Sequence, residues 1–143
     1  MSHTIDASVY VAALRPGDVH HAESTEYLDR YEDAGEPAIE PSLMIPECGG
    51  AVARAANDSV VGANAAASVR ALINHQFEPL SLERSEQAGR LAADYRLRGA
   101  DSVYVQLAIE FGTALITWDN EMLARARTVI ATMTPAEWLT ANP

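Results

Sequence analysis

Residues 99–119 read GADSVYVQLAIEFGTALITWD and contain a complete helix-to-strand unit. Asp101 opens a predicted helix over residues 102–111, and a glycine directly after it ends the helix. The apolar run at residues 114–117 predicts a short buried strand, and Asp119 favours a turn into a further helix. A helix, a buried strand and a second helix in succession are typical of an α/β fold.

The same alternation extends along the rest of the chain. Further strands are predicted at residues 3–6, 37–40, 77–82 and 129–131. Further helices are predicted at residues 8–14, 20–34, 42–57, 62–75, 85–97 and 120–127, and residues 134–139 resemble a capped terminal turn. Pro79 suggests that the 77–82 strand lies at a sheet edge. We therefore expect one α/β domain over residues 1–143, with a mostly parallel sheet of four to five strands and helices on both faces.

The composition is that of a globular domain. The chain has 143 residues, of which 48% are hydrophobic and 21% charged, so it is long enough to bury a substantial core. Cys48 is the only cysteine, which excludes an internal disulfide and a cysteine-based metal site. The first residues lack a basic segment before an apolar run, so we expect no signal peptide and no membrane span. We therefore expect a cytoplasmic protein.

The charge narrows the possible functions. The formal net charge is −10, and all ten basic residues are arginines. The absence of lysine excludes a phosphate-binding P-loop, a Schiff-base mechanism and a response-regulator phosphorylation pocket. The acidic balance also argues against broad, non-specific binding of nucleic acid, because that affinity comes mainly from basic residues.

Four acidic residues occur where predicted elements begin or end. They are Asp6, Glu47, Asp101 and Asp119. Because the carboxyl ends of parallel strands meet at one crevice, acids distant in sequence can converge there. Clustered carboxylates need a neutralising cation, and oxygen-only ligands favour Mg²⁺ or Mn²⁺ over zinc. The pattern therefore predicts a metal-dependent hydrolase.

Each acid also has an ordinary structural explanation. Asp101 can serve as a helix N-cap, Asp119 as part of a turn and Asp6 as a solvated strand end. Glu47 lies in an apolar helix where a lone buried carboxylate is costly, and a salt bridge to Arg54 is the competing explanation.

Taken in order, these stretches resemble the PIN-domain family of ribonucleases, and the size of the chain resembles the VapC-type toxins of bacterial and archaeal toxin–antitoxin pairs. The matching stretches are Thr4-Ile5-Asp6-Ala7-Ser8-Val9, the helix containing Pro46-Glu47, Gly99-Ala100-Asp101-Ser102-Val103-Tyr104-Val105-Gln106-Leu107-Ala108, and Ala114-Leu115-Ile116-Thr117-Trp118-Asp119. Together they span nearly the whole chain.

The resemblance implies a role for each acid. Asp6, Glu47 and Asp101 would hold the principal Mg²⁺ or Mn²⁺ ion, and Asp119 would complete the metal-binding pocket through water or a second ion. Ser8 and Thr117 would orient Asp6 and Asp119 by hydrogen bonds. Candidate phosphate contacts are Arg15, Arg54, Arg96 and Arg98, each of which also fits a solvated or salt-bridged surface residue.

The implied function is a metal-dependent endoribonuclease that hydrolyses RNA, acts as a toxin and is held inactive by a cognate antitoxin. The resemblance and the apolar helical faces also favour a homodimer. A catalytically silent PIN-like module that binds metal or a partner is the alternative, which the low basicity of the chain keeps open. An aspartyl-phosphate phosphatase is less well supported, because Asp6-Ala7-Ser8 lacks the usual second aspartate and the chain has no lysine.

Overall fold

The computed structural model describes all residues, 1–143, and contains five strands and eight helices. The strands are β1 His3–Ile5, β2 Ala38–Pro41, β3 His75–Glu78, β4 Ala114–Ile116 and β5 Thr132–Met133. The helices are α1 Ala7–Ala13, α2 His21–Asp33, α3 Met44–Ala56, α4 Ser59–Arg70, α5 Leu82–Tyr95, α6 Gly99–Phe111, α7 Asn120–Ala126 and α8 Pro135–Ala141. No helix has the length and apolar character that a membrane span needs.

All five strands are parallel and form one sheet in the order β3-β2-β1-β4-β5. The predicted α/β domain with a parallel sheet of four to five strands is confirmed. The central strands β1 and β4 pair over their whole length, with Ile5 opposite Ile116. This register brings the residues that follow, Asp6 and Thr117, to the same edge of the sheet.

The hydrophobic core lies between this central pair of strands and the helices packed on it. Ile5, Leu115 and Ile116 are completely buried, as are Val105 of α6 and Met44 of α3. β1 and β4 are buried along their whole length, as strands inside parallel sheets usually are, although β1 contains the polar residues His3 and Thr4. The elements that carry the four acids are therefore anchored in one core.

Helix α3 packs very closely against α4. A Cβ atom added to Gly62 would lie 2.4 Å from the Cβ of Ala53 and 2.7 Å from the carbonyl oxygen of Gly49. The two backbones can approach this closely only because Gly62 has no side chain. Since α3 carries Glu47, this contact also holds one of the four acids in place.

The boundaries around β3 differ from the sequence-based prediction. The predicted 62–75 helix begins earlier, at Ser59, because Asp58 accepts hydrogen bonds from the first free amides, and it ends at Arg70. His75 belongs to β3, where it pairs with β2. The strand ends at Glu78, and Ser81 caps α5 by accepting from the Arg84 amide. β3 does lie at an edge of the sheet, as Pro79 suggested.

Two further details of the sequence-based prediction, the position of the last strand and the cap of α3, also differ from the structure. The last strand is at Thr132–Met133 rather than residues 129–131, because these are the residues that pair with β4. Ser42 does not cap α3, which begins after Leu43 without a capping side chain. The terminal helix α8 has the predicted cap, with Thr134 and Glu137 forming a reciprocal capping box ahead of Pro135.

Candidate metal-binding cleft

The four predicted acids line one open cleft, which we call the acidic cleft, with a volume of about 570 Å³. Asp6 follows β1 and caps α1, and Asp119 follows β4 and caps α7. Glu47 and Asp101 lie in the first turns of α3 and α6. Two strand ends and two helix starts therefore bring together acids from four separate parts of the chain.

Thr117 joins two of these acids through one hydroxyl group. Its Oγ1 donates to Oδ2 of Asp6 at 2.9 Å and accepts from the backbone amide of Asp119 at 3.0 Å. The Ser8 amide contacts the same Asp6 oxygen at 3.4 Å, and the Ser8 hydroxyl accepts from the Trp118 amide at 3.1 Å. The two turns that carry Asp6 and Asp119 are thus fixed to each other.

Trp118 adds an aromatic anchor to the turn that carries Asp119. Its indole nitrogen donates to the Ser24 hydroxyl at 2.8 Å, and its ring stacks on His20 with 3.8 Å between centroids. Both contacts connect the turn to the start of α2. The position of Asp119 is therefore set by packing as well as by its own role as a helix cap.

Glu47 is held by a tyrosine and not by an arginine. The hydroxyl of Tyr104, on α6, donates to Glu47 Oε1 at 2.7 Å. Arg54 lines the same cleft but forms no ion pair with Glu47. The salt-bridge explanation considered for Glu47 is therefore wrong.

Arg98 contacts the remaining two acids. Its Nε donates to Oδ2 of Asp101 at 3.2 Å, and its Nη2 donates to Oδ2 of Asp119 at 2.5 Å. Asp101 lies within α6 and does not cap it, whereas Asp119 uses Oδ1 to cap α7 through the Met122 amide. The helix-cap explanation is therefore wrong for Asp101. Asp119 does lie in the turn between β4 and α7, where it caps α7 and also pairs with Arg98.

Burial and mutual repulsion raise the pKa of three of the acids. Burial is the largest cause for Asp6, where hydrogen bonds from Ser8 and Thr117 oppose it and the charge of Asp119 adds to it. The pKa of Glu47 is raised by burial and by Asp6 and Asp101, against the Tyr104 hydrogen bond. The pKa of Asp101 is raised by burial despite the nearby Arg98. The cleft therefore holds more negative charge than its own groups neutralise.

The donor atoms fit a hard divalent cation. Carboxylates outnumber guanidinium groups in the lining by four to two. Asp6, Glu47 and Asp101 each use one oxygen in the contacts described and keep the other without a protein donor. Such oxygens are the ligands that Mg²⁺ and Mn²⁺ prefer. In the arrangement observed, with Arg98 between two of the acids, no three His, Cys, Asp or Glu side chains are grouped closely enough to hold one ion directly.

Only two of the four predicted phosphate contacts lie in the acidic cleft. Arg54 and Arg98 line the acidic cleft. Arg15 lies past the opposite end of α1, in a separate apolar groove, and pairs with Asp18 at 3.6 Å. Arg96 is exposed, and its guanidinium donates to the Asp94 carbonyl. Arg15 is therefore not part of this cleft, because α1 separates it from Asp6.

A fifth acid, Glu40, was not singled out from the sequence. It is completely buried in β2, where both carboxylate oxygens accept from the Ile5 amide at 3.0 and 3.2 Å. Tyr10 donates to Glu40 at 3.2 Å and also bonds His75 at 2.6 Å. We call Glu40, Tyr10 and His75 the inner network. Its only sequence signal is a glutamate within a predicted strand.

Comparison with known proteins agrees with this geometry. Similar solved structures include the toxin VapC20 of Mycobacterium tuberculosis, described as cleaving the sarcin-ricin loop, with a TM-score of 0.70 and 17% identity over 85% of this chain and 93% of that chain. A toxin–antitoxin complex from Klebsiella pneumoniae has a TM-score of 0.66 and 18% identity over 93% and 97% of the two chains. VapBC2 from Rickettsia felis, bound to a promoter DNA fragment, has a TM-score of 0.64 and 12% identity over 94% and 98%.

At these identities the structural likeness concerns the fold. A search of curated protein sequences finds no significant match. The family model of the PIN domain matches residues 4–128, a range that includes the four acids of the cleft, the strands β2, β3 and β4 and most of β1. The chain belongs to the PIN domain family.

Proposed function

We propose that this protein is a Mg²⁺- or Mn²⁺-dependent endoribonuclease and the toxin of a toxin–antitoxin pair. The observation that carries the proposal is the acidic cleft, in which Asp6, Glu47 and Asp101 each keep one oxygen without a protein donor. Membership of the PIN domain family and the fold shared with VapC toxins support it.

The residues of the cleft would have different roles in binding the ion. Asp6, Glu47 and Asp101 would supply the main ligands, and Asp119 would complete the site through a water or a second ion. Thr117 and Ser8 would keep Asp6 and Asp119 in their observed orientation. A bound divalent ion supplies polarisation of the scissile phosphate and lowers the pKa of the attacking water. No side-chain nucleophile is needed.

RNA would be bound through a small number of contacts at the cleft. With a net charge of −10, the protein surface repels a polyanion, so binding depends on the metal and on the few arginines near it. Arg54 and Arg98 are the two that line the cleft. This arrangement predicts weak RNA binding without metal and a cleavage rate that falls as salt concentration rises.

RNA cleavage with added Mn²⁺, comparing the parent chain with Asp6→Asn, tests the proposal. We expect metal-dependent cleavage by the parent and none by the variant. The second candidate function is a catalytically silent PIN domain, which is favoured by the ion pairs of Arg98 with two of the acids. A parent protein that binds Mn²⁺ at the cleft but leaves RNA intact would identify this second function.

The partner would be an antitoxin with a basic segment. Such a segment complements the net charge and can insert a cation into the acidic cleft. Exposed apolar side chains at Leu14 and Val19 lie next to α1 and α2, where we expect its apolar contacts. Co-purification with the product of the neighbouring reading frame tests this, and sedimentation of the chain alone tests the proposed homodimer.

A further inference from the structure

Arg98 is a cation that the chain itself places in the acidic cleft. The residue directly precedes α6 in an extended conformation, with φ −65° and ψ 153°, and makes no capping hydrogen bond. Its guanidinium therefore reaches out of the helix and bridges Oδ2 of Asp101 and Oδ2 of Asp119. Asp101 belongs to α6 and Asp119 caps α7, so Arg98 links two of the elements that form the cleft.

A divalent ion and Arg98 compete for the same place. An ion held by the free oxygen of Asp101, and joined to Asp119 through water or a second ion, would lie beside the Arg98 guanidinium, and two cations at one pair of carboxylates repel each other. The Arg98 side chain is 60% exposed, so it can leave without opening the core. Ion pairs with this exposure are weak, which makes the exchange inexpensive.

Once released, the guanidinium remains at the wall of the same cleft. It then has no carboxylate partner, while the neighbouring ion attracts a phosphate. The planar guanidinium donates two parallel hydrogen bonds to phosphate oxygens, the arrangement for which arginine is well suited. The residue that pairs with Asp101 and Asp119 is thus also placed to contact the substrate.

We propose that Arg98 is a substrate-positioning residue controlled by the metal: it bridges Asp101 and Asp119 until a divalent ion displaces it, and then binds an RNA phosphate. This inference rests on the proposed nuclease function. Arg98 acts first as an internal competitor of the metal and afterwards as a partner of the substrate, so metal binding also prepares RNA binding.

The first test measures metal binding without RNA. Full-length parent and Arg98→Gln are titrated with Mn²⁺ by calorimetry, and we expect the variant to bind roughly fivefold more tightly, the effect of losing one to two exposed ion pairs. Arg54→Gln removes the same charge from the same cleft but breaks no ion pair, so its affinity should rise less. Arg90→Gln removes a charge outside the cleft and should leave the affinity unchanged.

Thermal unfolding gives a second readout. In chelator, Arg98→Gln should melt below the parent, because Asp101 and Asp119 lose their counter-charge, and saturating Mn²⁺ should remove the difference. Arg98→Lys retains the charge but cannot bridge both acids in the same way, so its melting temperature in chelator should lie between those of the parent and Arg98→Gln. Circular dichroism checks that each variant is folded.

Steady-state cleavage of RNA at saturating Mn²⁺ tests the second half of the proposal. Arg98→Gln should raise KM about tenfold and change kcat less, as expected for the loss of a phosphate contact. An unchanged Mn²⁺ affinity, or an unchanged KM, in this variant would overturn the role of Arg98 while the nuclease function stands. A parent that neither binds Mn²⁺ nor cleaves RNA would overturn the proposed function together with this inference.

Discussion

The acidic cleft and the inner network both adjoin β1, and both contain carboxyl groups whose pKa is raised chiefly by burial. They differ in how the oxygens are satisfied. Both Glu40 oxygens accept from the Ile5 amide, whereas Asp6 keeps one oxygen without a protein donor. A fully satisfied buried acid acts as part of the framework, and a partly satisfied acid is available to a ligand.

The inner network also connects β1 to β2 near the cleft. The backbones pair at His3 and Ala38, and further along the Glu40 side chain of β2 accepts from the Ile5 amide of β1. Asp6 follows directly after Ile5. The framework acid therefore helps to place the first acid of the cleft, although it does not face the cleft itself.

The largest expected effect is on activity. Asp6→Asn and Asp101→Asn should each lower metal-dependent RNA cleavage about a thousandfold, because each removes a ligand charge at nearly constant shape. Asp58→Asn is a matched control, since Asp58 is an exposed helix cap outside the cleft and asparagine caps equally well. Near-normal cleavage by either cleft variant would remove that acid from the proposed site.

The second effect is on stability and concerns the inner network. Glu40→Ala should lower the free energy of unfolding by about 3 kcal/mol, because it leaves a cavity and a buried Ile5 amide without an acceptor. Urea denaturation measures the change, with Glu40→Gln as the isosteric comparison that keeps an acceptor. A loss below about 1 kcal/mol in the alanine variant would mean that water replaces the carboxylate, against a framework role.

The third effect is the pH dependence of that stability. Burial raises the pKa of Glu40 well above the usual range, against the lowering effects of the Ile5 amide and the Tyr10 hydroxyl. The folded state therefore binds this proton more tightly than the unfolded state. The resulting stabilisation is complete below the unfolded pKa of glutamate and is lost as pH rises through the folded pKa.

Denaturation of the parent and Glu40→Gln over a range of pH isolates this contribution. The stability difference between the two should change with pH in favour of the variant as the solution becomes alkaline. His75 titrates in the same network, and burial lowers its pKa, so its effect appears in both proteins on the acidic side. Parallel pH profiles would show that Glu40 has no raised pKa.

The contrast between the two regions also separates what the sequence predicts from what it does not. Asp6 and Asp119 each come at or just after the end of a predicted short strand, and parallel strands bring such positions to one edge by geometry alone. Their meeting place could therefore be predicted. Glu40 could not, because its partner is the amide of Ile5, 35 residues away, and only the fold brings the two together.

Element boundaries failed for a related reason. The alanine-rich segment favours a helix beyond Arg70, but pairing with β2 places His75–Glu78 in the sheet instead. Local propensity is a weak preference that tertiary pairing overrides. The bridge from Arg98 to Asp119 likewise joins residues 21 positions apart, so its role was visible only in the structure.

The smallest expected effect is on the melting temperature without metal, and it tests whether Asp101 of the acidic cleft differs from Glu40 of the inner network. Asp101 keeps a raised pKa although Arg98 lowers it, so burial and the charges of Asp119 and Asp6 outweigh the ion pair. Neutralising this acid should therefore help the folded state. We expect Asp101→Asn to melt slightly above the parent in chelator at neutral pH, the reverse of what removal of a framework acid does at Glu40.

With metal added, the parent should melt above Asp101→Asn. An ion that binds only the folded site at a hundredfold excess over its dissociation constant stabilises the parent by about 2.7 kcal/mol, and the variant should gain much less because it has lost a ligand. Thermal melts of both proteins in chelator and in Mn²⁺ measure the two shifts. Equal metal-induced shifts would place the ion away from Asp101. A lower melting temperature of the variant in chelator would mean that the ion pair with Arg98 outweighs the repulsion, making Asp101 a framework acid like Glu40.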